Sequence, residues 1–278
     1  MSIKDTRIYQ FIRKNYYTLK NWDEIQDKKG IKKVIEVYKN IHDGEDCVII
    51  GNGPSLRVQD LDKLYQLHIP TFACNRVTLV FDQTKWRPTY YFISDEKILE
   101  GYTDHVDGVP ENHRFFPKTF RDKGLHGVFY GGGPEAHDYT KEGMFSLDAS
   151  DGVYGGGSVT TEMLQFAYYM GFRNIYLIGV DFSYAVNNPL NNQTYAYQGE
   201  QNYFIKGYLK PGEIAAIPNV QANLLAFHAA KEAAEANGFS IKNATRGGKL
   251  EVFERVDLDA LFVDWGKKEN GFDNSSGI

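Results

Sequence analysis

Cysteine is almost missing from this chain of 278 residues, which contains only Cys47 and Cys74. Two cysteines cannot form a disulfide framework or a zinc site with four cysteine ligands. Both lie inside apolar runs, CVII and TFAC, so we expect two buried free thiols. The seven histidines lack the paired spacing that binds a metal, and no resident metal site is predicted.

Positive charge is also scarce, since 31 lysines and arginines against 36 aspartates and glutamates give a formal net charge of −5. A general nucleic-acid binder needs a clustered positive surplus for the phosphate backbone, so no nucleic-acid partner is expected. No apolar window reaches the roughly 18 residues that a membrane span needs, and no signal peptide opens the chain. We therefore expect a cytoplasmic protein without a membrane span.

Aromatic residues are abundant instead. The 19 tyrosines, 18 phenylalanines and 3 tryptophans make up 14% of the chain. Tyrosine combines an apolar ring with a hydroxyl group, which suits pockets for sugars and flat bases. Protein cores use tyrosine as well, so the surplus alone does not identify a site.

Short apolar runs alternate with helical patterns along most of the chain. Strand-like runs lie at residues 47–50, 70–75, 89–94, 114–117, 127–132, 174–182 and 239–244. Helical patterns lie at residues 58–67, 158–170 and 219–237. This alternation predicts an α/β fold, with one mostly parallel sheet and helices on both faces.

The domain organisation follows from the same pattern. Residues 1–45 mix charged and aromatic residues at helical spacing and predict a helical N-terminal arm. Residues 46–265 form the predicted catalytic domain, and residues 266–278 a polar tail. The arm could pack on the domain, join subunits of a homo-oligomer, or give peripheral contact with a membrane.

A glycine-rich loop, GNGPS, directly follows the first predicted strand. Its glycines let backbone N–H groups approach a phosphate, and the following helix adds a positive N-terminal dipole. Asn52 can both donate to and accept from a ribose or phosphate. The loop lacks the lysine of a Walker loop and the full GxGxxG spacing, and a plain tight turn is the alternative. The candidate nucleotide-binding residues here are Gly51, Asn52, Gly53 and Ser55.

Polar residues follow three other predicted strands. Asn75 ends the second strand, Asp95 follows the third, and Asp181 follows the run NIYLIGV. Ligands of parallel sheets bind at the carboxyl ends of the strands, so each of these residues is a candidate contact. Each could instead cap its own turn, and the acidic pair Asp95-Glu96 is a weak metal signal.

Three glycines at residues 155–157 precede Ser158, which opens a predicted helix. A flexible loop at a helix N-terminus is a second ready anion site. An N-cap role explains Ser158 but not the three glycines. Two glycine loops at one sheet edge fit a nucleotide diphosphate or a nucleotide sugar, so Gly157 and Ser158 are also candidate nucleotide-binding residues.

Residues 183–213 form a long segment without periodicity, which is typical of a lid or a disordered loop. Its tyrosines favour a lid: Tyr184, Tyr195, Tyr197, Tyr203 and Tyr208. Lys206 and Lys210 could meet phosphate charge there, although such lysines are more often solvated.

Together these residues resemble a known family. GNGPSL, the CN pair and GGSVTTEMLQFAYYMGFRNIYLIGVDFSY look like the MptE-like family, which is named for an archaeal 6-hydroxymethylpterin pyrophosphokinase. NATRGGKLEVFERVDLDAL resembles that family's closing segment. The same core is similar to the bacterial family 42 sialyltransferases. The resemblance covers roughly residues 45–262, and it implies a modified Rossmann-like domain with a mononucleotide at the sheet edge.

The resemblance also implies roles for single residues. The two asparagines that contact the CMP donor in the sialyltransferases correspond to Asn52 and Asn75. The polar residue that ends their third strand corresponds to Asp95, where they have asparagine. The serine before their long helix, near the donor, corresponds to Ser158.

The lid departs from the family pattern. The sialyltransferases use a lid histidine as general base, and the Asn-His-Phe common in the MptE-like family reads Asn-Tyr-Phe at residues 202–204. Asp95, Asp181 or a lid tyrosine would therefore have to act, if a protein base is used. The candidate lid tyrosines are Tyr184, Tyr195 and Tyr203.

Three functions stay open on the sequence. The first is a glycosyltransferase that uses a nucleotide sugar, with a CMP-sialic-acid-like donor and a glycan or small-molecule acceptor, in bacterial surface polysaccharide synthesis. The second is an ATP-dependent pyrophosphokinase that acts on a hydroxymethylpterin-like acceptor, with Asp95 and Asp181 as Mg²⁺ ligands. The third is a non-catalytic nucleotide-binding module. None of them needs a prosthetic group.

Overall fold

The structure, a computed structural model, describes residues 27–99, 106, 108–187, 189–191 and 193–273. Residues 27–36 of the predicted arm form a helix, α1. The arm up to residue 26 lies outside the described residues, as does the end of the predicted tail from residue 274.

Ten strands occur within these described ranges. They are β1 (Asp46–Ile50), β2 (Thr71–Cys74), β3 (Tyr90–Phe92), β4 (Arg114–Pro117), β5 (Val128–Tyr130), β6 (Asn174–Ile178), β7 (Thr194–Ala196), β8 (Ile214–Ala216), β9 (Ser240–Asn243) and β10 (Glu254–Arg255). Eight of them form one sheet in the order β10-β9-β6-β1-β2-β3-β4-β5. All pairings in this sheet are parallel.

Helices cover both faces of the sheet, so the fold is the predicted Rossmann-like α/β fold. The other helices are α2 (Val58–Gln66), α3 (Glu96–Leu99), α4 (Val159–Tyr169), α5 (Val220–Asn237) and α6 (Leu258–Asp273). The core on one face contains residues of α1, α4 and α5, and the core on the other contains residues of α2 and α6. No helix in the described part of the chain is long and apolar enough to cross a membrane.

The central strand β1 shows why its sequence is continuously apolar. Cys47 and Ile49 lie in the α4–α5 core, whereas Val48 and Ile50 lie in the α2–α6 core. All four are fully buried, as a parallel strand covered on both faces requires. Cys47 and Cys74 are free and buried, which confirms the prediction for them. Burial raises the pKa of the Cys74 thiol to about 12.

Helix α4 begins and ends where the sequence predicts. Ser158 caps it by accepting a hydrogen bond from the Thr160 N–H, and Gly171 follows it with a φ of 103°. Met163 and Phe166 are fully buried on its core side. Because its cap is a loop at the carboxyl edge of the sheet, the helix points its N-terminus toward that edge.

The lid segment differs from the prediction of an irregular loop. The strands β7 and β8 pair as an antiparallel hairpin, with Tyr195 opposite Ala215. Tyr195 is 2% exposed and belongs to a small core that also contains Tyr208. The strands have three residues each, which is too short for a period of two to be visible in the sequence.

The run at residues 249–262 contains both a strand and the first turns of a helix. The strand β10 is followed by α6, and α6 continues to Asp273, beyond the predicted domain boundary at residue 265. Its Trp265 indole donates a hydrogen bond to Asp46 at the start of β1, so the middle of the helix is joined to the central strand.

Candidate functional site

A cavity lies at the carboxyl edge of the sheet, where the strand order reverses. The chain runs from β1 toward β5 on one side and continues with β6 on the other side of β1. Such a reversal opens a crevice between the loops, which is the usual ligand site of open α/β sheets. The cavity has a small lobe of about 150 Å³ and a large lobe of about 910 Å³. Both lobes are lined by Asn75, Ser158, Val159, Tyr184, Tyr203, Tyr208 and Asn223.

The glycine loop after β1 lies against the end of β6. The N–H groups of Gly51 and Gly53 donate to the carbonyl oxygens of Ile178 and Gly179, each at 2.8 Å. A Cβ on Gly51 would overlap the Gly179 carbonyl, and one on Gly53 would overlap the Asp181 carboxylate. Only glycine allows the two loops to approach this closely, so the loop is built by contact with β6.

Two asparagines meet in the small lobe. The Asn52 Nδ2 donates to the Cys74 carbonyl at 3.1 Å, which holds the side chain across the end of β2. Asn75 follows β2 in a left-handed conformation with a φ of 56°. The Oδ1 atoms of both asparagines are buried and have no hydrogen-bond partner among the described residues. Both asparagines line this lobe, and each has a buried acceptor without a partner.

The glycines before α4 let that helix end approach α5. A Cβ on Gly156 would overlap the Ala226 side chain, and Gly157 has a φ of 73°. The Ser158 side chain accepts from the Thr160 N–H at 3.3 Å while it lines both lobes. The positive end of the helix dipole thus points at the junction of the two lobes.

The lid is held both to the glycine loop after β1 and to the end of the sheet. The Tyr203 ring stacks on Tyr208 with centroids 3.8 Å apart. The Phe204 N–H donates to the Asn52 carbonyl at 3.1 Å. The buried Arg76 donates to the Tyr208 carbonyl and forms a 2.6 Å ion pair with Glu213. The lid residues are therefore positioned by the same loops that form the small lobe.

The two candidate aspartates have different surroundings. Asp181 accepts hydrogen bonds from the Ser55 backbone N–H at 3.2 Å and the Ser55 hydroxyl at 2.8 Å. Burial raises the pKa of the Asp181 carboxyl, and this effect exceeds the lowering of the pKa by the two hydrogen bonds. Asp95 is exposed and caps α3, because its Oδ1 accepts from the Lys97 N–H at 2.9 Å.

With this geometry established, the family follows from a sequence profile. The profile described as 6-hydroxymethylpterin diphosphokinase MptE-like matches residues 16–187, which is more than half of the chain. The chain belongs to the MptE-like family. No curated protein matches the MptE-like chain.

The MptE-like chain resembles the solved structure of the MAf glycosyltransferase from Magnetospirillum magneticum AMB-1. The identity is 17% and the TM-score 0.49, with 88% of this chain and 41% of the other covered. The MptE-like chain thus spans less than half the length of that glycosyltransferase.

Most residues predicted from the sequence come together in the MptE-like cavity. The small lobe is lined by Gly51, Asn52, Gly53, Asn75, Ser158, Asp181, Tyr184 and Tyr203, and the large lobe by Asn75, Asp95, Gly157, Ser158, Tyr184 and Tyr203. Ser55 and Tyr195 line neither lobe. Ser55 is turned to Asp181, and Tyr195 lies in the core of the hairpin.

The two lid lysines considered for phosphate contact lie elsewhere. Lys206 and Lys210 are exposed and line neither lobe. Arg246, another basic residue, pairs with Asp60 at 2.7 Å and with Asp259 at 3.0 Å, outside the lining of the cavity.

Arg76 and Glu162 line the large lobe of the MptE-like cavity and were not predicted as site residues from the sequence. Arg76 directly follows Asn75, so its place beyond a strand end was a usable signal. In the sequence Glu162 is an acidic residue in the first turn of a predicted helix, which is an ordinary position for one.

Asp181→Ala is expected to lower the free energy of unfolding by about 2 kcal/mol, because hydrogen bonds to a charged group contribute about 1.5–3 kcal/mol. Ser55→Ala should have a smaller effect, since the backbone N–H of residue 55 can still donate to Asp181. Urea denaturation of both single variants and the double variant measures the coupling. If the two effects simply add, the contact between these side chains contributes nothing.

Proposed function

We propose that this MptE-like protein is a transferase that moves a sugar from a CMP-linked donor to a glycan or small-molecule acceptor in bacterial surface polysaccharide synthesis. The observation that carries the proposal is the pair of unsatisfied Oδ1 atoms of Asn52 and Asn75. Each unpaired buried acceptor costs about 1–3 kcal/mol unless a ligand supplies a donor. The amino group of cytosine and the ribose hydroxyl groups are donors of this kind.

The α4 N-terminus supports a phosphate at the junction of the lobes. The first N–H groups of a helix lack partners within the helix, and together with the dipole they attract an anion. Among the residues described, the lining of the small lobe contains no lysine or arginine. An acidic protein can therefore bind an anionic donor here through its backbone.

The large lobe has room for a sugar and an acceptor beyond the phosphate. Its volume of about 910 Å³ exceeds what a nucleotide base needs, and it is lined by Tyr139, Tyr184 and Tyr203. Their rings can pack on a sugar while their hydroxyl groups hydrogen-bond it. A lid tyrosine at the junction can also donate to the leaving phosphate, whose charge grows during the reaction.

The name of the family favours a second candidate, an ATP-dependent pyrophosphokinase. That reaction uses Mg²⁺, for which the sequence offers Asp95 and Asp181. The two aspartates line different lobes, and Asp181 is turned to Ser55. The described residues contain no group of three or more His, Cys, Asp or Glu side chains that could hold a metal ion. These two aspartates therefore do not fit a shared magnesium site.

Isothermal calorimetry with CMP and CDP in the absence of metal, and with ATP plus Mg²⁺, tests the proposal. We expect CMP to bind without metal, and Asn52→Ala to weaken this binding about 10-fold, because one hydrogen bond to the ligand is lost. Asn237→Ala is the matched control, since this asparagine lies at the exposed end of α5 and should leave the affinity unchanged.

The other outcomes each replace the proposal. Binding of ATP only, and only with Mg²⁺, would make the pyrophosphokinase the better function. If none of the three nucleotides binds, the better conclusion would be that the protein is a module without transferase activity.

A further inference from the structure

Glu162 places a carboxyl group in the wall of the large lobe. Its Oε2 accepts a hydrogen bond from the Tyr130 hydroxyl at 2.5 Å. Its Oε1 lies on the side of Gly155, where a Cβ would have this oxygen as its sole heavy-atom neighbour within 4 Å among the described residues, at 3.8 Å. One oxygen is thus held by Tyr130, and the other lies on the side of Gly155, which also lines the large lobe.

The surroundings of Glu162 are unfavourable for a purely structural carboxylate. Among the residues described, no lysine, arginine or histidine forms an ion pair with it, and Arg76, which lines the same lobe, pairs with Glu213. A poorly solvated carboxylate without a cation destabilises a protein. Burial raises the pKa of the Glu162 carboxyl to about 7, although hydrogen bonds from Tyr130 and Ser94 lower it. A group with such a pKa exchanges its proton near neutral pH.

We propose that Glu162 is the general base of the transfer reaction, an inference that rests on the proposed function. The oxygen of the acceptor hydroxyl forms a bond to the anomeric carbon of the donor sugar. The bond between that carbon and the phosphate oxygen breaks, and its electron pair leaves with CMP. The hydroxyl proton passes to Glu162 Oε1 and then to solvent.

The position of Glu162 along α4 agrees with this role. A helix rises about 1.5 Å per residue, so Glu162 lies about 6 Å beyond Ser158 along the axis. Side chains of a helix lean toward its N-terminus, which brings the carboxyl group back toward the junction of the lobes. A phosphate at the helix end and a base one turn farther leave room for one reacting carbon between them.

The bases that the sequence offers are less suitable. Asp95 is exposed and is engaged in capping α3. Burial raises the pKa of the Tyr203 hydroxyl, so this phenol keeps its proton at neutral pH and acts as a hydrogen-bond donor. Asp181 is held by Ser55 in the small lobe, away from the acceptor.

Glu162 has both direct partners and more distant titratable neighbours. Among the described residues it interacts with Tyr130 on β5, Ser94 after β3 and Cys74 on β2. The charged and titratable groups elsewhere in the large lobe are Arg76, Asp95, Glu96, Lys97, Tyr139, Tyr184, Tyr203, Tyr208 and Glu213. Burial raises the pKa of Cys74 to about 12 and that of Tyr130 well above its usual value, so neither ionises near neutral pH.

The test measures the release of CMP from CMP-N-acetylneuraminate, with water as acceptor, across about pH 5 to 9. The wild-type rate should rise with pH through the Glu162 pKa, because the base must be deprotonated. Glu162→Gln should lower the rate about 100-fold and abolish this rise, with the CMP dissociation constant unchanged. Glu232→Gln, an exposed change on α5, should behave as the wild type.

Tyr130→Phe is the second variant and does not depend on Glu162→Gln folding. It removes a hydrogen bond that lowers the Glu162 pKa, so the midpoint of the pH–rate profile should move to higher pH. An unmoved midpoint, or an active Glu162→Gln with the wild-type profile, would overturn the role of Glu162 alone. A wild type that releases no CMP would overturn the proposed function, and this role with it.

Discussion

Gln165→Leu is expected to lower the free energy of unfolding by about 4 kcal/mol, because it leaves several buried backbone groups without partners. The Gln165 Oε1 accepts from the N–H groups of Ser146 and Tyr154, each at 2.9 Å. Its Nε2 donates to the Tyr154 carbonyl at 2.8 Å and the Thr161 carbonyl at 2.9 Å. The side chain is 1% exposed, so water cannot replace these bonds without opening the core.

Gln165→Leu should change the cavity as well as the stability of the fold. Gln165 is the residue of α4 that holds the segment from Ser146 to Tyr154, and this segment leads directly to Gly155 in the large lobe. Urea denaturation followed by circular dichroism measures the loss of stability. Gln221→Leu is the matched control, because Gln221 lies on α5 and is exposed. A loss below about 1 kcal/mol would show that the network is replaceable.

The sheet and the glycine loop were predictable because each rests on a local pattern. The run CVII is apolar without interruption, and a strand that is buried on both faces needs such a run. Asn75 follows β2 directly and Asn52 lies two residues beyond the end of β1, so a parallel sheet must bring them to one edge. The prediction that they lie near each other needed only the fold class.

The role that we propose for Glu162 could not be predicted from the sequence, because it depends on contacts between distant segments. Tyr130, its hydrogen-bond partner, is on β5, which lies at the edge of the sheet. In the sequence Glu162 is an acidic residue in the first turn of a helix, where many helices have one. Only the packing of α4 on the sheet removes water from its carboxyl group and gives it a hydroxyl partner.

Ser55 shows the opposite case, in which a motif position was predicted to contact the ligand and the structure gives it another partner. Its hydroxyl donates to Asp181 at 2.8 Å instead of lining the cavity. The sequence contains both residues but not their distance, because 126 positions separate them. The serine of the loop thus contributes to the site by fixing the loop on β6.

Gly53→Ala is expected to weaken CMP binding at least about 100-fold, which corresponds to about 2.7 kcal/mol. The new Cβ would overlap the Asp181 carboxylate and lie 2.7 Å from the Gly179 carbonyl oxygen. Backbone cannot move by that amount without breaking the Gly53 hydrogen bond to Gly179 and the hydrogen bonds of Ser55 to Asp181. Asn52 is carried by the same loop and would lose its position.

Calorimetry with CMP measures the effect, and circular dichroism checks that the variant keeps its fold. Gly131→Ala is the matched control, because a Cβ there would have no neighbour within 4 Å in the described structure and the residue lines neither lobe. Because the two variants add the same methyl group, their difference reports the closeness of the loop to β6. An affinity of Gly53→Ala within about threefold of the wild type, less than 1 kcal/mol, would mean that CMP does not bind against this loop.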